Sequence, residues 1–436
     1  VSSDEIVNLP GLPTQPTFKQ YSGYITANKE RQRELFYWYT ESMSNPAKDP
    51  LLLWLTGGPG CSGLLATLGE NGPFTMLDGG KSLAYTDYPW NKEANVIWIE
   101  SPAGVGFSTV SYPEDLNAND VQTANDTYTF LLEFIYDKFP EFIGREFYIT
   151  GESYGGHYVP ELALRIVQGN AQNPKMPINI KGFLVGNAWT YMPIDNGAAI
   201  DTWYQRGLVP QNTIADIKKY CNLSAVGPLL TKRSASDCES AISTADEQMG
   251  DISIYDIYAD VCVPQEYLKA FARAGSKFHD ILIKKNPPQD PCLMADLETY
   301  LNNPAVQQAL HVKQPTKWAG CSGTVKYSYA DVQKSVIPVY KQLFTSGLDI
   351  LVYSGDVDAI VPWLGTQRWI DSLNMQVLEA WRPWHDSGNQ VGGYVTKYES
   401  LTFTTVRNAG HQVPYFQPER AYIMLSNWIK YAKFPK

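Results

Sequence analysis

The chain has 436 residues, enough for about three domains or for one large α/β unit carrying an insertion. Hydrophobic residues make up 44% and charged residues 18%, which excludes disorder over most of the length. With 45 acidic against 35 basic side chains and a net charge of −10, the basic surface that nucleic acid or an anionic membrane needs is missing. No apolar run approaches the roughly 18–20 residues of a membrane-spanning helix, so no membrane partner is expected.

In the first half, short apolar runs alternate with helical spacing, the pattern of a mostly parallel sheet covered by helices. Asp49–Leu55 reads as a buried strand ending in Thr56-Gly57-Gly58-Pro59-Gly60, and Asn95–Glu100 as a second ending in Ser101-Pro-Ala-Gly-Val-Gly106. From Asn119 to Phe139 the apolar positions Val121, Ala124, Tyr128, Leu131, Leu132, Ile135 and Phe139 predict a helix. Glu146–Thr150 is a third strand, running into Gly151-Glu152-Ser153-Tyr154-Gly155, and Ile180–Gly186 is a fourth, ending near Asn187. From about Thr190 to Trp318 the alternation stops. Four of the six cysteines fall here, among mixed-polarity helices expected over Thr213–Tyr220 and Pro264–Phe278. This stretch reads as a mainly helical cap stapled by local disulfides, giving a core of 1–189 and 319–436 split by a cap of 190–318. Strands return at Leu348–Ser354 and Leu401–Val406, and Pro418–Lys433 closes the chain as a helix.

Gly151-Glu-Ser-Tyr-Gly155 is a G-x-S-x-G between a predicted strand and a predicted helix, the context of a nucleophile elbow. A serine hydroxyl is a weak nucleophile until a base, itself oriented by a third group, takes its proton. On a hydrolase sheet the order is serine, acid, histidine, and two late strands supply acid and base in that order. Gly355-Asp356-Val357-Asp358 follows one, and Gly410-His411 follows the other. Asp356 and Asp358 remain equivalent on this reading. Of the other histidines, His157 sits on the helix after Ser153, where packing or solvent contact is expected. His279 and His311 fall in the cap, and His385 in a loop. The small residues after the first strand can aim backbone N–H groups at an oxyanion, with Tyr154 supplying a second donor.

None of Cys61, Cys221, Cys238, Cys262, Cys292 and Cys321 belongs to a C-x-x-C pair, which argues against structural zinc and thioredoxin-type chemistry; no metal or cofactor is expected. The even cysteine count, the acidic balance and the sequons at Asn125 and Asn222 favour a secreted, vacuolar or lysosomal protein. Val1-Ser-Ser-Asp-Glu5 lacks the n- and h-regions of a signal peptide, so a mature, processed start is expected.

Five motifs, in order, resemble those of the serine carboxypeptidases: Leu53–Ser62 (LWLTGGPGCS), Glu100–Ser108 (ESPAGVGFS), Gly151–Pro160 (GESYGGHYVP), Tyr353–Asp358 (YSGDVD) and Ala409–Pro414 (AGHQVP). The resemblance implies an α/β-hydrolase fold, Ser153 as nucleophile, His411 as base, Asp358 as its orienter, and Gly58 and Tyr154 as oxyanion donors. It implies recognition of a free C-terminal carboxylate by Glu70 and Glu152 with the backbone of Gly57. Two carboxyls so close share a proton, so acidic pH is favoured. Thr56 stands where the family usually has an asparagine. Gln412 is expected in the leaving-residue pocket; Tyr255 and Tyr258 are expected to pack in the core, with a place in the apolar wall of that pocket as the other reading. The disulfides implied are Cys61–Cys321, Cys221–Cys238 and Cys262–Cys292. Partners are peptides or proteins with a free C-terminus, and the chain is expected to be a monomer or homodimer. An acyltransferase with the same triad is the alternative, although its relatives usually carry Asp before the nucleophile; a non-catalytic, partner-stabilising relative is the other.

Overall fold

The computed structural model describes residues 2–224, 236–263, 290–431 and 434. Within them ten strands form one sheet: β1 (Gln20–Asn28), β2 (Arg33–Thr40), β3 (Leu51–Leu55), β4 (Asn95–Ile99), β5 (Phe147–Glu152), β6 (Ile180–Gly186), β7 (Asp349–Gly355), β8 (Val377–His385), β9 (Val391–Tyr398) and β10 (Thr402–Val406). Their order is β1-β2-β4-β3-β5-β6-β7-β10-β9-β8. The inner six run parallel, and two antiparallel strands flank them on each side.

Side-chain alternation along the inner strands divides the apolar residues between two cores. Leu51, Leu53, Ile149, Phe183 and Val352 face one side, against helices α1 (Asp120–Leu132) and α2 (Gly155–Gln172). Leu52, Trp54, Trp98, Leu184 and Leu351 face the other, against Ala421, Met424, Leu425 and Trp428 of the last helix, Pro418–Tyr431. Covered on both faces, these strands are near-continuous apolar runs.

The expected helix over 119–139 is in two parts. α1 ends at Leu132, and a wider π-helical turn, Glu133–Lys138, carries Phe134 and Ile135 into the core. His385 is not in a loop but ends β8, a mostly exposed edge strand with Pro383 and register shifts against β9. Its broken alternation hides it from a period-two reading. The insertion packs in two ways. Ile200, Trp203, Ile214, Ile217 and Ile242 form an apolar cluster of their own, tied by Cys221–Cys238. Leu297, Tyr300 and Leu301 instead join Phe36, Trp38 and Leu64. The helix expected over 264–278 and His279 lie outside the described residues.

Candidate active site

Five neighbouring parallel strands end at the same edge of the sheet. Following β3, β5, β6, β7 and β10, in spatial order, come Thr56-Gly57-Gly58, Ser153, Asn187, Asp358 and His411. The C-terminal edge of a parallel sheet is where such folds gather reactive groups.

Ser153 has φ +59°, a left-handed conformation held by its surroundings. Its N–H donates to the Gly186 carbonyl at 3.0 Å, and its carbonyl accepts from Gly156 at 2.8 Å and Trp189 at 2.9 Å. The Thr56–Gly60 loop comes so close that a Cβ on Gly57 would lie 2.4 Å from the Tyr154 nitrogen and 2.6 Å from the Ser153 Cβ. Only glycine fits there. Ser153, Gly58, Tyr154 and His411 all border one cavity of about 1100 Å³.

His411 and Asp358 are 3% and 1% exposed. His411 Nδ1 meets Asp358 Oδ2 at 2.8 Å. The same oxygen accepts from Asn187 Nδ2 at 2.7 Å, while Asp358 Oδ1 accepts from the N–H of Ile360 at 2.8 Å and of Val361 at 3.3 Å. Asn187 is itself fixed, its Oδ1 accepting the Gly355 N–H at 2.9 Å. Asp356 turns away and accepts from the Asn408 N–H at 2.6 Å. The His411 backbone N–H donates to the Tyr255 carbonyl at 2.6 Å, and the two rings meet edge-on at 5.2 Å.

On the other side of Ser153, Glu152 and Glu70 are 3% and 8% exposed, and their carboxyls hydrogen-bond each other. Burial pushes Glu70 up to about 7, although hydrogen bonds from Glu152 and Gln412 pull it down. Burial, and then the neighbouring Glu70, hold Glu152 well above the usual carboxylate range. Gln412 Nε2 donates to Glu70 Oε1 at 3.2 Å. Oε2 of each carboxyl is buried and takes no donor from any group outside the pair. Thr56 borders the same cavity, and its hydroxyl accepts the Trp54 indole N–H at 2.8 Å, leaving its own proton to donate.

Cys61 is bonded to Cys321, Cys221 to Cys238 and Cys262 to Cys292. The first bridge is bracketed by Ser62 N–H to the Gly320 carbonyl (2.8 Å) and Ser322 N–H to the Gly60 carbonyl (2.9 Å), so the loop is held on both sides. Beneath it Glu100, fully buried, accepts from Ser62 Oγ at 2.5 Å, from Trp318 Nε1 at 2.7 Å and from the Phe107 N–H. Burial pushes its carboxyl up to about 7 against those bonds.

Tyr255 and Tyr258 are not core residues: they are 41% and 66% exposed and border the cavity. Both follow α-helical and turn segments of the insertion, whose packing no local periodicity reveals. His157 is fully buried and hydrogen-bonded to Asp120 at 2.9 Å, packing and not solvent contact. Asn125 lies exposed on α1 and accepts from Arg165 Nε at 2.7 Å, and Asn222 lies exposed after the helix Gln211–Tyr220. Among the described residues no group of three His, Cys, Asp or Glu side chains is placed to hold a metal ion.

Asn187, Asp120 and Glu100 have no part in the sequence-based site. An asparagine at a strand end, which tolerates its φ of +41°, is the sole local signal for the first.

A family model described as serine carboxypeptidase matches residues 10–431. Serine carboxypeptidase 24 of Arabidopsis thaliana is 40% identical over 442 residues, covering 99% of this chain and 93% of that protein. Serine carboxypeptidase-like 26 of the same plant is 40% identical over 443 residues, covering 99% and 94%. The crystal structure of a prohormone-processing carboxypeptidase from Saccharomyces cerevisiae superposes with a TM-score of 0.76 at 20% identity, over 98% of this chain and 96% of that one. At that identity the likeness shows the fold.

Proposed function

The chain belongs to the serine carboxypeptidase family of hydrolases, and from that premise we propose that Ser153, His411 and Asp358 carry its acyl transfer. His411, oriented by Asp358, takes the Ser153 proton as Oγ attacks the scissile carbonyl. The Gly58 and Tyr154 N–H groups meet the developing oxyanion. His411 then returns the proton to the departing C-terminal amino acid, and water releases the acyl group from Ser153. The observation that carries this reading is the 2.8 Å contact between His411 and Asp358 on a cavity that Ser153 also borders.

The leaving residue's carboxylate is met by the protonated Glu152–Glu70 pair, the Gly57 N–H and the Thr56 hydroxyl, with Gln412 beside them. No cation is needed, because a protonated carboxyl donates. The raised values of the pair put its protonated form below about pH 7; as pH rises through about 7, Glu70 ionises and faces substrate with like charge. Affinity for a free carboxylate is thus an acid-side property. Leu65, Met294, Tyr255 and Tyr258 on the cavity wall support apolar side chains in the substrate.

The division into a core of 1–189 and 319–436 and a cap of 190–318 belongs to the same proposal. It is supported by the separate cluster around Trp203 and Ile242 and opposed in part by Leu297 and Tyr300, which pack with the core. Three closed disulfides support an oxidising setting. We extend this to secretion or a vacuolar or lysosomal destination, with sugars on Asn125 and Asn222. Among the described residues no helix is long and apolar enough to cross a membrane.

Incubation with an N-blocked dipeptide near pH 5 releases the free C-terminal amino acid on this account, and Ser153→Ala abolishes that release. Transfer to an alcohol without hydrolysis would contradict it.

A further inference from the structure

Behind the elbow lies a buried carboxylate that the proposed reaction does not use. Asp120, 1% exposed, opens α1 and accepts three side-chain hydrogen bonds. The Tyr327 hydroxyl donates to Oδ1 at 2.7 Å, the Tyr154 hydroxyl to Oδ1 at 3.1 Å, and His157 Nδ1 to Oδ2 at 2.9 Å. A buried carboxylate is costly unless donors surround it, and here they do. Burial raises this carboxyl, but the bonds led by His157 leave it below its ordinary value, so it is an acceptor at working pH.

Each partner leads to the oxyanion hole. Tyr154, whose backbone N–H is one proposed donor, has its ring stacked on His157 at 4.5 Å and 16°, and edge-on to Tyr158 and Tyr327 at 5.1 and 5.3 Å. Tyr158 packs on Tyr327 at 5.9 Å, and its hydroxyl accepts the Gly60 N–H at 3.3 Å. Gly60 belongs to the loop that carries the other donor, Gly58. Tyr327 arrives from the far half of the chain on the short strand Lys326–Tyr327, paired with Asn117–Ala118 just ahead of Asp120. One acceptor therefore connects the residue after the nucleophile, the glycine loop and the second half of the core.

We propose that Asp120, His157, Tyr158 and Tyr327 are positioning residues that hold the Tyr154 and Gly58 N–H groups at the separation the oxyanion requires. The proposal rests on Ser153 as nucleophile with those two donors. Preorganisation is what gives such donors their effect, since they act on charge that exists only in the transition state. A loosened network lowers kcat equally for every acyl substrate and leaves the carboxylate-binding side alone.

The test uses Tyr158→Phe and Tyr327→Phe, which keep the rings and remove one hydroxyl each, together with Asp120→Asn. Turnover is counted per serine titrated with a fluorophosphonate, so misfolded protein drops out. Substrates are a blocked dipeptide and a blocked amino-acid ester. Losing an oxyanion donor outright costs about 100-fold or more in kcat, so displacing one is expected to cost about 5–10-fold in each Phe variant and about 50-fold in Asp120→Asn. The loss is the same on both substrates with peptide KM within about twofold, and the Tyr158→Phe/Tyr327→Phe double variant loses less than the product of the two. Tyr340→Phe, which removes a buried hydroxyl without a partner outside this network, keeps full kcat. Wild-type kcat in both Phe variants, or a loss confined to Tm or to peptide KM, overturns the proposal. If Asp120→Asn does not fold, the Phe variants decide alone. If Ser153→Ala still hydrolyses the dipeptide, the underlying reading fails. If Ser153→Ala is inert while the Phe variants turn over normally, the positioning proposal falls alone.

Discussion

The two sides of Ser153 put buried carboxyls to opposite use. Asp358 is surrounded by donors, from His411, Asn187, Ile360 and Val361, and so serves as an acceptor that orients the imidazole. Glu70 and Glu152 are about as buried but face each other, with Gln412 as their added donor. Without donors the proton stays, and the pair becomes a source of hydrogen bonds. Burial alone does not decide a carboxyl's role; the balance between it and the charges and donors facing the group does, for Glu100 stays raised under three donors whereas Asp120 with three is lowered.

The contrast can be broken at either end. The largest effect is expected from Asp358→Asn, which presents an amide to His411 and favours the wrong tautomer: kcat falls by about 10⁴ with little change in KM. Stopped assays on a blocked dipeptide, with protein folding checked by circular dichroism, measure it. Cys61→Ser comes next. It frees the glycine loop from Cys321, so unfolding free energy falls on the order of 3 kcal/mol in denaturant titration and kcat falls with it.

Glu152→Gln reaches the opposite side. The amide can still donate but no longer titrates, so peptide KM rises about 10-fold at pH 5 and keeps only the pH dependence that Glu70 contributes, while ester kcat holds. The smallest effect extends the rule outside the site. Asp195 is fully buried, accepts from Thr190 and Tyr191 N–H on Oδ2 at 2.8 Å each, and has a bare Oδ1. Burial pushes it up to about 7 despite those two bonds. A carboxyl raised on folding contributes stability that is fully present below its ordinary value of 3.8 and is lost as pH rises through about 7. Asp195→Asn should therefore match wild-type Tm near pH 3.5 and exceed it by a few degrees at pH 7.

The same question of surroundings explains what is legible in the sequence. All six parallel strands read as apolar runs because both their faces are covered. The four antiparallel strands do not. β1 and β2 mix aromatic with polar residues and turn through Lys29-Glu-Arg-Gln32 without Gly or Pro, Gln32 itself taking φ +50°. Ser153 is legible because the elbow is local, a strand, a glycine and a helix in one stretch. Asp358 is separated from Asp356 only by the turn after Gly355, where the Asp356 N–H pairs with the Val406 carbonyl and its side chain caps Asn408. Asn187 and Asp120 act through residues far away in sequence, so no local pattern marks them.

The shared proton on Glu152 and Glu70 is tested most directly by wild-type KM against pH, from 5 to 8, for one blocked dipeptide and for its blocked ester, which lacks the free carboxylate. The account predicts that KM for the dipeptide climbs as pH passes through about 7 while KM for the ester stays level. Two curves that rise together, or a dipeptide KM that does not move, would contradict it.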